Sequence, residues 1–287
     1  MLIAIGFLIV LLSVFGGFVL TGGSLGPIFQ PIELLIIGGA GVGSFIAANN
    51  GKAITATIRS SRRFYRSSKY NRETYLELLS VIYKLLNKMR RDGMLAAERD
   101  IESPQESTIF QEHPEILEDP MMVNFIADYL RLMISGNMDP QELDELMLHE
   151  IETVEDEASI PADALHKVGD AMPAFGIVAA VLGVVRALST ADVPPDVMGQ
   201  MIAHALVGTF LGILLGYGFI IPLATRIERQ VTEIVKTLQV IRVTLLASMQ
   251  GYAPQLAVEF GRKALHTAER PSFTELEDHV RGAKTEA

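Results

Sequence analysis

GDAMPAFGIVAAVLGVVRALS (residues 169–189), the turn TADVPPDV (190–197) and MGQMIAHALVGTFLGILLGYGFIIPLA (198–224) read together as an apolar helical hairpin. A hydrocarbon core of roughly 30 Å takes about 20 apolar residues at a rise of about 1.5 Å each, and each half has that length. Small residues recur at every fourth position, with Ala179, Gly183 and Ala187 in the first half and Gly208, Gly212 and Gly216 in the second. Such faces let helix backbones approach closely. From Pro173 to Val185, and from Ala205 to Ile221, there is no acid, base or histidine. An ion crossing beside this hairpin therefore needs a carboxylate from another chain.

The rest of the composition agrees with a membrane protein. Across 287 residues the mean hydropathy is +0.31, with 49% hydrophobic and only 20% charged residues. A net charge of -10 argues against a nucleic-acid partner, which needs a basic face to replace counterions around phosphate. With no cysteine there is no disulfide framework, thiolate nucleophile or Cys-based metal site.

Working outward, Leu2 to Leu20 is apolar except for Ser13 and predicts a first span. A cleaved signal peptide is the competing reading, but the start lacks a basic region and the apolar run exceeds the usual 7 to 15 residues or so. TGGSLGPIFQP (21–31) is an uncharged turn, and Ile32 to Ala48, headed by Glu33, predicts a second span. Its GGAGVG (38–43) superficially resembles a phosphate loop but follows no strand, so Gly39 and Gly43 are expected as packing contacts. Lys52, Arg59, Arg62, Arg63, Arg66, Lys69 and Arg72 follow directly, which makes that side cytoplasmic and offers contacts to anionic lipids. The opposite-side turns are uncharged or, at 189–198, carry only Asp192 and Asp196, so both termini are expected in the cytoplasm.

Between the hairpins the chain reads as a helical domain. Tyr75, Leu78, Leu79, Ile82, Leu85, Leu86 and Met89 recur with helical spacing, as do Met122, Phe125, Ile126, Tyr129, Leu130 and Met133. Pro104, Pro114, Pro120 and Pro140 punctuate the helices, and no strand-length alternation occurs. From Asp139 to Asp163 the chain is rich in acids and has no Lys or Arg, with an apolar stripe of Leu143, Leu146, Met147, Ile151 and Val154. That run is either a solvated face or a docking face for a basic partner. Ser159 with Pro161 predicts a helix start leading into the third span. The fourth continues through Ile227, Val231, Ile234, Leu238, Ile241 and Leu245, and the tail beyond Gly251 reads as charged and peripheral.

No catalytic constellation stands out: there is no nucleotide-binding strand–loop–helix, and the six histidines lack ligand spacing, so no enzyme, metal or cofactor is expected. His204 is either a structural interfacial histidine or a proton relay, and Arg186 either an interface anchor or part of an ion entrance. Asp170 is either solvated or a proton exit. Pro173 and Pro222, one near the inner end of each facing span, each remove a backbone donor and suggest a moving or wetted site. Thr209, the one hydroxyl in the apolar stretch of the fourth span, can bond its own backbone or a partner's carboxylate.

GDAMPAFGIVAAVLGVV, HALVGTFLGILLGYGFIIPLA, GGSLG, GSFIAANNGKAI, AERDIESPQES and GYAPQLAVEFGRKAL resemble the MotA family of flagellar motor stator subunits, in the MotA/TolQ/ExbB proton channel superfamily, over residues 1–281. The resemblance implies a pentameric ring of four-span subunits around the single spans of a MotB dimer, whose membrane aspartate carries the ion. It matches Pro173 and Pro222 to the prolines that couple ion flow to conformational change, and Thr209 to the threonine facing that aspartate. Arg90 and Glu98 match the charged pair that engages the rotor switch protein FliG, with Glu150 a further candidate. Sodium-driven relatives carry a threonine where this chain has Ala180, which points to the proton as coupling ion.

The expectation is therefore an all-α, polytopic inner-membrane protein with spans at 1–21, 32–50, 169–190 and 199–224. A cytoplasmic helical domain at 51–168 and C-terminal helices and tail at 225–287 complete it. Its rivals are a three-span energy transducer of the TolQ or ExbB type, and a passive membrane scaffold.

Overall fold

A computed structural model describes residues 2–61, 69–136, 138–190 and 194–285. Arg62, Arg63, Arg66 and Asp192 of the charge pattern lie outside them. The helices are α1 (Leu2–Leu20), α2 (Pro31–Ala48), α3 (Gly51–Ser61), α4 (Arg72–Asp92), α5 (Glu98–Glu102), α6 (Thr108–Gln111), α7 (Pro114–Leu117), α8 (Pro120–Ser135), α9 (Pro140–Leu188), α10 (Pro195–Met249), α11 (Pro254–Ala264) and α12 (Phe273–Thr285). No strand occurs among the described residues. Four helices, α1, Gly26–Ala48, α9 and α10, are long and apolar enough to cross a membrane. The chain divides into two compact units, Met1–Ser67 with Ala158–Arg229, and Ser68–Glu157 with Gln230–Ala287.

In the first unit Gly22, at φ +88°, takes the left-handed conformation that the turn after α1 requires. Pro31 then opens α2, where its missing N–H costs nothing, and Glu33 sits in the first turn, where the helix dipole favours an acid. The core gathers Ile37, Met172, Ala179 and Leu211. Aromatic pairs link α1 to α10, Phe7 with Phe219 at 4.9 Å and Phe15 with Phe210 at 6.0 Å between ring centroids. Of the glycines in GGAGVG it is Gly41, one turn from buried Ile37, that packs: a Cβ there would lie 2.6 Å from Met172 Cε. Gly39 and Gly43, expected as contacts, have no atom of another element within 4 Å of such a Cβ among the described residues. Two residues are about 200° of helical turn, so positions 39 and 43 face away from the side that positions 37 and 41 bury.

The outward faces of the spans remain apolar: Ile9, Leu12, Leu35, Val181 and Leu206 are each exposed. A surface of that kind is stable against lipid, where only a helix with internally satisfied backbone can lie.

In the second unit α4 is the central element. Asn71 caps it by accepting from the Glu73 and Thr74 amides at 2.8 and 3.0 Å, and Tyr75, Leu78, Leu79, Ile82, Leu85 and Leu86 are buried along it. Asp119 caps α8 and also takes the Tyr70 hydroxyl at 3.0 Å and Lys69 at 2.5 Å. Buried Asp100 is held by Lys88 at 2.7 Å and the Ser107 hydroxyl at 2.6 Å, which fixes the irregular stretch after α4.

Three expectations change here. Helix α9 starts at Pro140 and runs unbroken through Ser159, with Pro161 and Pro173 inside it. Asp139 provides the cap, accepting from the Gln141 and Glu142 amides at 2.8 and 2.9 Å while Glu142 takes the Asp139 amide at 3.3 Å. A proline inside a long helix forfeits one donor, and Pro161, itself buried, does not end this one. Leu143, Met147 and Ile151 are buried at four-residue spacing, while Leu146 is 42% exposed, so the stripe is narrower than expected. The tail beyond Gly251 is not peripheral: Ala257, Val258, Leu276 and Val280 are buried in the unit's core. Arg262 is buried too, paired through two nitrogens with Glu259 and donating to the Pro271 carbonyl at 2.8 Å.

Candidate functional site

Between α9 and α10 of the first unit the backbones meet without side chains. A Cβ on Gly176 would lie 2.7 Å from the Gly208 carbonyl oxygen and 3.2 Å from Thr209 Cα. One on Gly208 would be 3.1 Å from Ala180 N, one on Gly212 2.6 Å from the Met172 oxygen, and one on Gly183 2.6 Å from Ala205 Cβ. The small-residue faces read from sequence thus pack as expected, joined by Gly169, Gly176 and Ala205, which the four-residue spacing missed. Ala180 is buried in this seam and Thr209 half-buried beside it.

The Thr209 hydroxyl makes no hydrogen bond among the described residues. Thr225, Thr237 and Thr244, farther along the same helix, each donate to the carbonyl four residues earlier, at 3.1, 2.8 and 2.7 Å. Of the two options open at Thr209, the bond to its own backbone is not made.

Pro173 cannot donate to the Gly169 carbonyl, nor Pro222 to that of Gly218. The Gly169 oxygen faces Gly216, 2.5 Å from where its Cβ would stand, with Pro173 Cδ 3.3 Å from the same point. Gly216 opens a π-helical turn, Gly216–Ile220, which ends two residues before Pro222. Such turns loosen the hydrogen-bond ladder and recur at functional sites. Pro173 is half-buried, while Pro222 and Asp170 are exposed.

At the opposite end of the hairpin, Glu33, Arg186 and His204 line one cleft of about 180 Å³ with Gln30. Sequence reading treated Arg186 and His204 separately; their shared depth follows from the turn joining the two spans, and Glu33 joins them through α2.

Arg90, Glu98 and Glu150 belong to the second unit. Arg90 lies in the last turn of α4 and Glu98 begins α5; both are exposed, and neither forms an ion pair among the described residues. Neighbouring charges are engaged, Arg91 with Asp92 at 3.0 Å and Arg131 with Glu102 at 2.8 Å. Glu150 is occupied internally, accepting from the Tyr129 hydroxyl at 2.6 Å. Burial, followed by that bond, pushes the Tyr129 phenol well above its usual range.

Four helices long and apolar enough to cross a membrane, two of them packed along a seam of small residues with a proline near the inner end of each, define a polytopic membrane protein. Residues 4–93 match the family model "Motility protein A N-terminal", and residues 117–240 the "MotA/TolQ/ExbB proton channel family". Motility protein A of Salmonella typhimurium is 56% identical over 99% of this chain and 96% of its own length, and that of Escherichia coli 57% over the same shares. The solved flagellar MotAB stator complex from Bacillus subtilis aligns with a TM-score of 0.75 at 25% identity, covering 93% of this chain and 97% of the other. The chain belongs to the motility protein A (MotA) family of flagellar stator subunits. It is a multi-pass protein of the inner membrane, in a family of proton channels and not of enzymes.

Proposed function

We propose that this stator subunit forms its proton channel with MotB, and that the seam of Pro173, Ala180 and Thr209 is where a MotB carboxylate is protonated and released. The observation that carries the reading is the Thr209 hydroxyl, half-buried in a seam without any ionisable group and unengaged by its own backbone. A protonated carboxylate can accept from it or donate to it. Ionising that carboxylate in hydrocarbon costs several kcal/mol, enough to shift an equilibrium between two helix arrangements. Pro173, Pro222 and the turn at Gly216–Ile220 are where the arrangement changes, and Asp170 is the exit toward the cytoplasm.

The reading takes spans at 1–21, 32–50, 169–190 and 199–224, and the positive-inside rule favours α3 and both termini on the cytoplasmic side. Five copies surround the MotB spans. Arg90 and Glu98, exposed and without an ion pair among the described residues, face the rotor switch protein FliG; Glu150 lies at the margin of that surface. Ala180 leaves no hydroxyl for a dehydrated sodium ion, so the proton is the coupling ion and no other cofactor is required. Four spans speak against a three-span energy transducer. In a strain lacking MotA, Pro173→Ala and Thr209→Ile should abolish swimming while flagella and co-purification with MotB stay normal; normal swimming in both would contradict the reading and favour a scaffold.

A further inference from the structure

Just past the inner end of the small-residue seam, within the first unit, an ion pair joins α9 to α10: His166 Nε2 lies 3.0 Å from Glu228 Oε1. His166 precedes Gly169 by three residues and Pro173 by seven, spacings that put all three on one side of α9. That side meets α10, since a Cβ on Gly169 would lie 2.6 Å from Ile221 Cγ1 and Pro173 Cδ lies 3.3 Å from where a Gly216 Cβ would stand. Asp170 is one turn from His166 toward the seam, and Glu228 lies one turn beyond the fully buried Ala224. Asp163, Lys167 and Arg229 beside the pair are exposed. The His166 Nε2 is hidden from solvent, yet despite its distance from Glu228 it makes no aligned hydrogen bond among the described residues. A hidden ring nitrogen left so is costly, and with the ring proton on Nδ1 it is a base beside a carboxylate. The His166 side chain as a whole is 29% exposed and that of Glu228 49%, so solvent reaches the pair.

We propose that His166, held by Glu228, is the base that takes up the proton leaving the hairpin and passes it to the cytoplasm. The proposal rests on the reading of Asp170 as the exit and extends it by one step. The O–H bond of protonated Asp170 breaks and an N–H bond forms at His166 Nε2, directly or through one water, leaving a carboxylate and an imidazolium. Glu228 stabilises the imidazolium as its counter-charge. The ring then gives one proton to solvent water and returns to neutral, so a single proton moves and nothing is oxidised or reduced. Water is a weaker base than the carboxylate a proton leaves behind, whereas an imidazole is a stronger one. A histidine at the inner mouth therefore draws the proton off faster than solvent alone.

The test uses the full chain with MotB in motile cells, with motor speed measured against load for His166→Gln, His166→Ala and Glu228→Gln. Near zero load the rate of proton passage limits speed, whereas near stall the driving force per proton sets torque. The expected result for His166→Gln is a several-fold loss of low-load speed with stall torque near wild type, and the same pattern, smaller, for Glu228→Gln. Imidazole added to cells carrying His166→Ala should restore low-load speed, because a diffusible base replaces the missing one. Wild-type low-load speed in His166→Gln, with swimming still lost in Pro173→Ala, would overturn the proposal and leave the seam reading standing. Normal swimming in Pro173→Ala as well would remove both. Equal loss of low-load speed and stall torque, unmoved by imidazole, would make the pair a structural tie and overturn the relay. Should the His166 variants fail to assemble with MotB, Glu228→Gln, which keeps the size of the side chain, decides by the same two quantities.

Discussion

At residue scale, His113 is a buried titratable group of the second unit held among charged neighbours. Its Nδ1 donates to Glu77, its Nε2 accepts from Lys84 at 3.1 Å, and Lys84 also pairs with Glu112. Burial, then Lys84, holds this imidazole below its ordinary 6.5 against the opposing pull of Glu77 and Glu112. The folded chain thus binds this proton less readily than the unfolded one. Stability is full above about pH 6.5 and is lost as pH falls below it. Thermal unfolding of the solubilised complex from about pH 7.5 to 5 should show that decline, and His113→Gln should flatten it. Neither Glu77 nor Lys84 is sequence-adjacent to His113, so no spacing rule could have revealed this group. Ala180 has a sharper consequence. Because it is buried against the Gly208 backbone, Ala180→Thr should not by itself confer sodium dependence, which swimming speed across sodium concentrations checks.

At the scale of elements, the hairpin was readable because its determinants are local: apolar length, small residues at one spacing, and prolines near one end. Its partners across the seam were less so. Gly176 and Gly169 pack against Gly208 and Gly216, a pairing across two helices that a repeat counted along one helix does not contain. Gly39 and Gly43 meet no other element among the described residues, and composition cannot tell which face of α2 meets Met172. The start of α9 at Pro140 was missed because Ser159 and Pro161 form a locally plausible start, whereas the Asp139–Glu142 capping box wins within a helix already committed to burying Leu143, Met147 and Ile151. Gly212→Val should cost about 1–3 kcal/mol of hairpin packing, since its Cβ would meet the Met172 carbonyl. Lower yield and earlier thermal unfolding of the complex are the expected readouts, with Gly39→Ala near wild type as the control.

At the scale of the whole molecule, the missing carboxylate is the organising fact. The membrane unit provides a close-packed seam, a hydroxyl without a hydrogen bond among the described residues and two interrupted backbone ladders, and the second unit provides two exposed charges, Arg90 and Glu98, without an ion pair among the described residues. Helices α9 and α10 are each continuous through residues of both units. The membrane part and the family were legible in the sequence, while the burial of the C-terminal helices was not: the charges of Arg262 and Glu259 hide a buried ion pair that looks like a solvated surface. The central claim, that proton flow past this seam drives the motor, is tested most directly by swimming speed in a MotA-null strain carrying this chain with its MotB, while sodium and the proton gradient are varied independently. Speed that follows the proton gradient and ignores sodium is the predicted result; speed that follows sodium, or no rescue despite verified membrane expression, would contradict it.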